Sequence, residues 1–360
     1  MKFTAQDFLK SALPALNFAT SSAHNFITDT ALIEPKTSTS VSVTCSTGEG
    51  YIRCEAPVTV PPAKPFCVVA SDFVRLLKAS SGNAEMSGGQ YKCGSFAAKL
   101  PLIPAKDFPS VAPFAEELTL TLYASSLRQI LTALMPIAKE KDFSVYNGLL
   151  FISGRAAVLN ADGQNMGAFI DGTWTLENPF RIPNFAFRHI LSALADVDAN
   201  EDIHICVSEQ GRITMAIGST EMSISGYSDK TTDWLTSLLN KVEAGQMSTL
   251  SFNAKEMQGA VSRATIFNPD HLIVTVDGEQ LSVKSHSYKD DKVCEDSAPL
   301  LSSKLTDGSK GKYTFAAKNF STLVSSLAED VKCQILDRGM GIFSDGAITI
   351  FIQQISLPEV

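Results

Sequence analysis

The sequence predicts an α+β fold of three similar domains, each a duplicated unit of one helix and a short antiparallel sheet. The main observation is an apolar pattern that begins at Ala5, Phe8 and Ala12 and returns five more times along the 360 residues. The copies start 54 to 70 residues apart, at Ala5, Ala70, Ala124, Asn184, Ala254 and Ala317. A repeat at this spacing indicates an array of similar structural units.

Each copy predicts one amphipathic helix, because its apolar residues recur at i, i+3, i+4 and i+7 and share one face. The helical segments are 5–16, 70–80, 124–135, 184–195, 254–264 and 317–329. Between them, alternating apolar and polar runs are separated by turn-forming residues, which predicts antiparallel strands. A helix and the strands after it can bury one face against each other, so two such units make a domain.

The predicted domains are residues 1–116, 117–247 and 248–360. The first boundary lies in an acidic, proline-containing link that ends in Glu116 and Glu117. We expect a loop from Leu16 to Thr30, and an interrupted hairpin with long loops between His286 and Gly311.

Composition excludes several classes of protein. The apolar fraction of 44% is ordinary for a soluble globular protein, and no apolar run is long enough to span a bilayer. The N-terminus shows no signal-peptide pattern, so we expect a cytoplasmic protein. The seven cysteines form no C-x-x-C pair, which favours reduced thiols packed in strands, and the dispersed histidines signal no metal site.

No motif indicates catalysis, so we predict a protein that is not an enzyme and needs no cofactor. A phosphate loop, a G-x-S-x-G elbow and an H-E-x-x-H helix are all absent. Asp162, Asp277 and Asp345 each precede a glycine at a predicted hairpin, where the pair serves turn geometry. His189 follows Arg188 in a predicted helix and is expected on a polar helix face.

The net charge of −8 argues at first against a nucleic-acid partner, but the charge is unevenly distributed. The predicted helices contain eight basic and four acidic residues, a balance of +4, which leaves −12 for the rest of the chain. The basic residues are Lys10, Arg75, Lys78, Arg128, Arg188, Lys255, Arg263 and Lys318. Positive helices on an acidic body indicate a surface that meets a polyanion; the alternative is an ordinary solvated helix face.

Several short strings resemble the bacterial DNA polymerase III beta subunit family, the sliding clamps. They occur in the family's order along the whole chain, on the sixfold repeat. Met1–Thr4 resembles the family's start, 103–109 its L-P-A-x-D-F-P string, 147–151 its N-G-[ML]-L-F strand, 161–163 its T-D-G turn and 263–266 its R-A-A-I helix end.

The resemblance implies a non-catalytic processivity factor. Two copies of three domains each would join head to tail into a ring of six domains. The helices would line the hole around duplex DNA. The ring would tether a DNA polymerase and need a clamp loader to open it. The alternative function is a β-rich structural or assembly protein without a DNA role.

The resemblance also implies sites. DNA would meet the eight basic helix residues without reading bases, together with His24 on a loop. The dimer contact would join the strand that ends near Leu100 to the helix end at Ile266 and Phe267. Partner peptides would enter a cleft between the second and third domains, lined by Tyr146, Ala161, Gly163, Met166, Thr236, Phe351, Ile352, Ile355 and Leu357.

The chain departs from the family at places that bear on partner choice. Gln164 and Asn165 follow the turn where the family has His-Arg, and 231–235 differ from its F-P-D-Y-R connector. The C-terminal strand lacks M-P-[MLI]-R and contains Gln354 and Ile355 instead. These departures are typical of a divergent clamp, including one encoded by a bacterial virus, and they put peptide specificity in doubt.

Overall fold

The computed structural model describes residues 1–21, 29–48, 50–111, 118–138, 148–159, 166–228, 247–287, 292–306, 309–335 and 339–355. Statements below concern these residues. Within them, no helix combines the length and apolar character that a membrane span requires.

The predicted helices are all present, and they begin at or shortly after the expected positions. Their bounds are α1 Ala5–Ser21, α2 Ala70–Lys78, α3 Ala124–Leu134, α4 Phe187–Leu194, α5 Ala254–Ala264 and α6 Ala317–Ser326. A 3-10 turn, Asn184–Ala186, precedes α4.

Helix α1 corrects the expectation of a loop from Leu16 onwards. It continues to Ser21 although Pro14 lies inside it and removes one backbone donor. Leu16 and Phe18 are at most 1% exposed. Burial of these side chains therefore outweighs the local cost of the proline, which a reading of local propensity does not include.

The strands fill the segments between the helices. They are β1 Lys2–Thr4, β2 Thr30–Pro35, β3 Ser40–Thr47, β4 Gly50–Pro57, β5 Phe66–Val69, β6 Asn83–Ser87, β7 Gln90–Cys93, β8 Phe96–Lys99, β9 Ile103–Pro104, β10 Leu118–Tyr123, β11 Leu149–Ile152, β12 Arg155–Leu159, β13 Met166–Asp171, β14 Phe180–Ile182, β15 Asp202–Val207, β16 Arg212–Ile217, β17 Thr220–Ser225, β18 Tyr227–Ser228, β19 Ser248–Asn253, β20 His271–Asp277, β21 Gln280–Ser287, β22 Lys292–Lys304, β23 Lys312–Ala316, β24 Asp330–Ile335, β25 Met340–Ser344 and β26 Thr349–Gln353.

The order of elements confirms the repeat. A strand, a helix and three further strands follow one another six times, starting at β1, β5, β10, β14, β19 and β23. Two consecutive copies make one domain of the predicted kind, so the fold is α+β with three similar, internally duplicated domains. The predicted limits of these domains, near residues 116 and 247, remain predictions.

Each domain is closed in the same way. The strand before its first helix pairs antiparallel with the strand after its second helix, as in β1 with β6, β10 with β15 and β19 with β24. At the same junction the N–H of Ala5 donates to Gly82 O over 2.8 Å, and the N–H of Ala254 donates to Glu329 O over 3.0 Å. The repeat in the sequence thus reflects a repeated hydrogen-bonding scheme.

The chain divides into two compact units, of which the first comprises residues 1–128 and 185–227. It contains a nine-stranded sheet, β10-β15-β16-β17-β4-β3-β2-β5-β9, and a four-stranded sheet, β1-β6-β7-β8. Its core includes Phe8, which lies 4.7 Å from Phe3 and 5.7 Å from Phe73, between ring centroids. Phe8 and Phe73 hold the same place in two copies of the apolar pattern.

The second unit comprises residues 129–184 and 228–360. From β14 onwards it contains the sheet β14-β11-β12-β13-β26-β25-β24-β19-β22-β21-β20-β23. Phe315 and Phe320 stack with centroids 5.0 Å apart, and Phe343 packs against both at 6.0–6.1 Å. This aromatic cluster marks the face of the sheet that the helices cover.

Strand β22 corrects part of the prediction of an interrupted hairpin with long loops between His286 and Gly311, because one continuous strand fills much of this segment. It runs for 13 residues and pairs with β21 along its first part and with β19 along its last part. Its residues are mostly exposed or half-buried, so its sequence shows little alternation of apolar and polar side chains. Periodicity in the sequence therefore does not predict this strand. Backbone pairing, first with β21 and then with β19, stabilises it instead.

The turn and cysteine predictions agree with the structure where it describes them. Gly278 and Gly346 have φ of +59° and +92°, the left-handed values that the Asp-Gly turns require. All seven cysteines are free thiols in strands, and five of them are buried. Asp162 and Gly163 lie outside the described residues.

Candidate functional site

The eight basic residues occupy recurring places on the helices. Each helix has a buried reference residue in the same place of the repeat: Phe8, Phe73, Leu127, Phe187, Met257 and Phe320. Counted from these, the basic residues stand at −2, +1, +2, +5 or +6. At roughly 100° per residue they fall between roughly 100° and 240° around the helix, opposite the buried reference. One face of every helix therefore carries positive charge.

Seven of the eight basic side chains are exposed, and Arg128 is half-buried. Lys78, Lys255 and Lys318 have no ion pair with any acidic side chain in the described part of the chain. Their ammonium groups are thus open to an anionic partner.

Three other basic residues have an acidic neighbour. Lys10 Nζ lies 3.1 Å from Asp196 Oδ2, and Arg75 Nη1 lies 3.6 Å from Asp72 Oδ1. Arg263 donates through Nε to Asp296. The Arg263 guanidinium lies beside Gly259, where an added Cβ would approach Nη1 to 3.3 Å.

Arg128 holds the end of a neighbouring helix. Its Nη2 donates to the carbonyl groups of Leu194, the last residue of α4, and Val197. Gln258 does the same in the third domain, donating through Nε2 to Leu327 O over 3.2 Å. Part of the Arg128 guanidinium therefore serves the packing of α3 against α4, a task that its sequence context did not indicate.

The acidic residues in the predicted helices also recur. Asp7, Asp72 and Glu256 each lie in the first turn of their helix. A carboxylate there is stabilised by the unpaired N–H groups and the positive end of the helix dipole. These three acids thus support helix starts while leaving the basic face largely positive. His24 lies outside the described residues.

His189 corrects the expectation of a place on a polar helix face. It is 3% exposed, and its ring meets Phe18 edge to face at 5.1 Å between centroids. Burial, together with repulsion from Arg188, lowers the pKa of the imidazole from 6.5 to about 4. His189 is therefore a neutral core residue between α1 and α4 at neutral pH.

The structure describes four of the nine residues expected in the peptide cleft. Met166 and Ile352 are cross-strand partners of β13 and β26, and both are buried. Ile355 is 39% exposed just after β26. Phe351 points to the other face of the sheet, since its neighbours in register are Gly167 and Ile342. Tyr146, Ala161, Gly163, Thr236 and Leu357 lie outside the described residues.

Phe351 belongs to a small apolar cluster on the sheet face that does not carry Phe343. Leu159 and Met340 are buried against it, and Ile342 packs there half-buried. Gly167 makes room for the Phe351 ring, because a Cβ would lie 2.1 Å from its Cζ. The sequence did not indicate this cluster, since β13 and β26 are far apart in the chain and only their pairing brings its members together.

The residues expected at the dimer contact differ in exposure. Ile266 and Phe267 are 67% and 45% exposed, and Lys292 Nζ lies 5.2 Å above the Phe267 ring. Leu100, in contrast, is 5% exposed and follows the end of β8. Strand β8 carries the exposed side chain of Phe96, at 40%, and strand β22 carries those of Val293 and Leu301, at 51% and 54%.

No protein-family model matches the sequence, and no curated protein matches it. Solved structures do match, over 99% of this chain and 99% of each of theirs. The sliding clamp of Bartonella birtlesii, the DNA polymerase III subunit beta bound to griselimycin, gives a TM-score of 0.85 at 16% identity. The DNA polymerase III beta subunit of Thermotoga maritima gives 0.84 at 13%, and the DNA polymerase sliding clamp of Bacillus subtilis gives 0.83 at 14%.

Proposed function

We propose that this chain, which has the fold of the bacterial DNA polymerase III beta subunits, is itself a DNA sliding clamp. Two copies close head to tail into a ring around duplex DNA, and the ring tethers a DNA polymerase. A clamp loader opens it. The chain acts by topology and not by catalysis.

The observation that carries this proposal is the recurring basic face of the helices. A purely structural β-rich protein has no reason to place positive charge opposite the buried reference residue in all three domains. Lysine and arginine at these places suit phosphate contacts that read no base sequence. Lys10, Arg75, Lys78, Arg128, Arg188, Lys255, Arg263 and Lys318, with His24, are the residues that we propose for DNA contact.

Ring closure is supported by the way strands join neighbouring domains within the chain. The last strand of a domain's second half pairs with the last strand of the preceding domain's first half, as in β17 with β4 and β26 with β13. The remaining strands of these two kinds are β8 and the first part of β22. Neither has such a partner in the described residues. A second copy of the chain would supply the missing partner strand. A head-to-tail contact that is repeated between copies can close into a ring.

The two internal junctions also suggest where along the strands that contact lies. Thr220, the first residue of β17, lies opposite Cys54, the fifth residue of β4, and Thr349, the first residue of β26, lies opposite Phe169, the fourth residue of β13. Transferred to the open edges, Phe96 of one copy would lie opposite Glu295 or Asp296 of the other. The exposed Phe96 side chain of one copy would then approach the exposed helix end at Ile266 and Phe267 of the other copy. Leu100 would lie close to this contact, because it directly follows β8.

Solution mass tests this arrangement. Sedimentation equilibrium should give twice the mass of the chain, and replacing Ile266 and Phe267 by Glu should give a folded monomer. The control is Glu at Val60 and Leu118, which are 47% and 56% exposed but lie elsewhere. A dimer that survives the first pair of changes would place the interface elsewhere, and a monomeric native chain would remove the ring.

We further propose that partner peptides dock near the β13–β26 junction. Phe351 and Ile355, with Tyr146, Ala161, Gly163, Thr236 and Leu357, are the proposed lining. Met166 and Ile352, which were also expected there, are buried on the opposite face of the sheet from Phe351 and would support this lining from behind. Apolar anchors of an extended peptide suit such a groove. If truncation after Gln354 leaves the affinity for a polymerase-derived peptide unchanged, the C-terminal residues do not form the cleft.

A further inference from the structure

Asp196 occupies a place where a negative charge is electrostatically unfavourable. It lies two residues after Leu194, the last residue of α4, near the negative end of the helix dipole. Asp198 nearby has a structural task, since its Oδ1 accepts from the backbone N–H of Asn200 over 2.8 Å. Within the described residues, the contact of the Asp196 carboxylate is with Lys10 Nζ, at 3.1 Å.

This ion pair contributes little to the stability of the fold. The two side chains are 70% and 71% exposed, and such surface pairs add little to stability. Its electrostatic effect on Lys10 is direct, however, because the carboxylate competes with any other anion that approaches the ammonium group. Arg75 on α2 has the same kind of ion pair with Asp72, and Arg263 on α5 with Asp296, although Asp72 also stabilises the start of its own helix.

Resting on the proposed function, we propose that Asp196, together with Asp72 and Asp296, weakens the hold of the helices on DNA phosphates. A ring that slides must break its phosphate contacts at every step, so each strong contact adds resistance to movement. A lysine or arginine that exchanges between a carboxylate of its own chain and a phosphate loses less when the phosphate leaves. Lys78, Lys255 and Lys318, which have no ion pair in the described part of the chain, would attract the duplex. Lys10, Arg75 and Arg263, which are paired with carboxylates, would bind the phosphates less tightly.

Asp196→Asn tests the inference, because it removes the carboxylate that competes for Lys10. The change should not destabilise the fold, since the negative charge at this helix end is unfavourable. Binding of the dimer to a short linear duplex is measured by fluorescence anisotropy over a series of salt concentrations. We expect several-fold tighter binding at low salt, and a salt slope steeper by up to about 0.9 per freed lysine that reaches a phosphate.

The matched control is Asp171→Asn, which makes the same change of charge. Asp171 pairs with Arg155 Nε over 2.7 Å across the neighbouring strands β12 and β13. We expect it to change affinity and slope much less than Asp196→Asn. In a Lys10→Gln background, Asp196→Asn should lose its advantage over Asp171→Asn, because the lysine that it frees is gone.

Equal effects of the two Asp→Asn changes, or an effect that persists without Lys10, would overturn the inference. If the native dimer shows no salt-dependent binding to duplex at all, the proposed DNA function fails instead. The two failures are therefore distinguishable in one set of titrations.

Discussion

Gly167 is the residue at which packing of the β13–β26 junction is tightest. An added Cβ would lie 2.1 Å from Phe351 and 2.8 Å from a Leu159 methyl group. Neither ring nor methyl can move far, because both belong to the buried cluster with Met340. The junction therefore depends on the absence of one side chain, which the sequence alone shows only as a glycine in a strand.

We predict that Gly167→Ala costs about 1–3 kcal/mol in the free energy of unfolding, as overpacking in cores does. Urea unfolding of the dimer measures it. The control is Gly48→Ala, since an added Cβ there has no neighbour within 4 Å. Equal stability of the two variants would mean that Phe351 has room to move.

His189 gives the fold a dependence on acid pH. Its imidazole titrates near pH 6.5 when exposed and near 4 in the folded chain. As the pH falls from 6.5 to 4, the unfolded chain takes up the proton first, so the folded state loses stability across this window. The shift corresponds to a loss of about 3 kcal/mol, complete below pH 4.

The measurement is the free energy of unfolding from pH 7 to pH 4, in the native chain and in His189→Gln. Carboxylates titrate in both proteins, so the difference between the two curves isolates the histidine. We expect the native curve to fall more steeply below pH 6.5. Parallel curves would mean that the folded imidazole accepts a proton without cost.

At the scale of elements, α3 and α4 are joined by Arg128, and α5 and α6 by Gln258. Both side chains donate to carbonyl groups at the end of the second helix of their domain. The comparison separates the two roles of Arg128, because glutamine can make the hydrogen bond without the charge.

We predict that Arg128→Gln keeps the stability of the native chain, whereas Arg128→Ala loses about 1–2 kcal/mol with the hydrogen bonds. Both variants should bind duplex DNA more weakly, because both lack the charge. Thermal unfolding and DNA titration together check this. If Arg128→Gln binds DNA like the native chain, Arg128 serves packing alone.

The open lysines give the most direct element-scale test of the helix face. Replacing Lys78, Lys255 and Lys318 by Gln should weaken duplex binding and reduce the salt slope by up to about 0.9 per lost contact. The control replaces Lys92, Lys312 and Lys332, exposed lysines that lie on strands beside buried neighbours. Similar losses in both triple variants would assign the effect to net charge and not to the helices.

For the whole molecule, the repeat and the fold class could be predicted from sequence because each helix and its strands bury one another locally. Strand β22 and the faces of β13 and β26 could not, since they depend on pairing between segments distant in the chain. The same holds for Asp196, whose partner Lys10 is far away in sequence. Local periodicity therefore indicates the repeated helices and strands, whereas these contacts form only where segments distant in the chain come together.

Encirclement of DNA is the central claim, and a linear duplex with biotin at both ends tests it without a clamp loader. A ring can thread onto free ends but not past streptavidin. Protein added before the ends are blocked should stay on the duplex in high salt, and protein added afterwards should stay off. Equal binding in both orders, with loss of both in high salt, would show that the protein binds the surface of DNA without surrounding it.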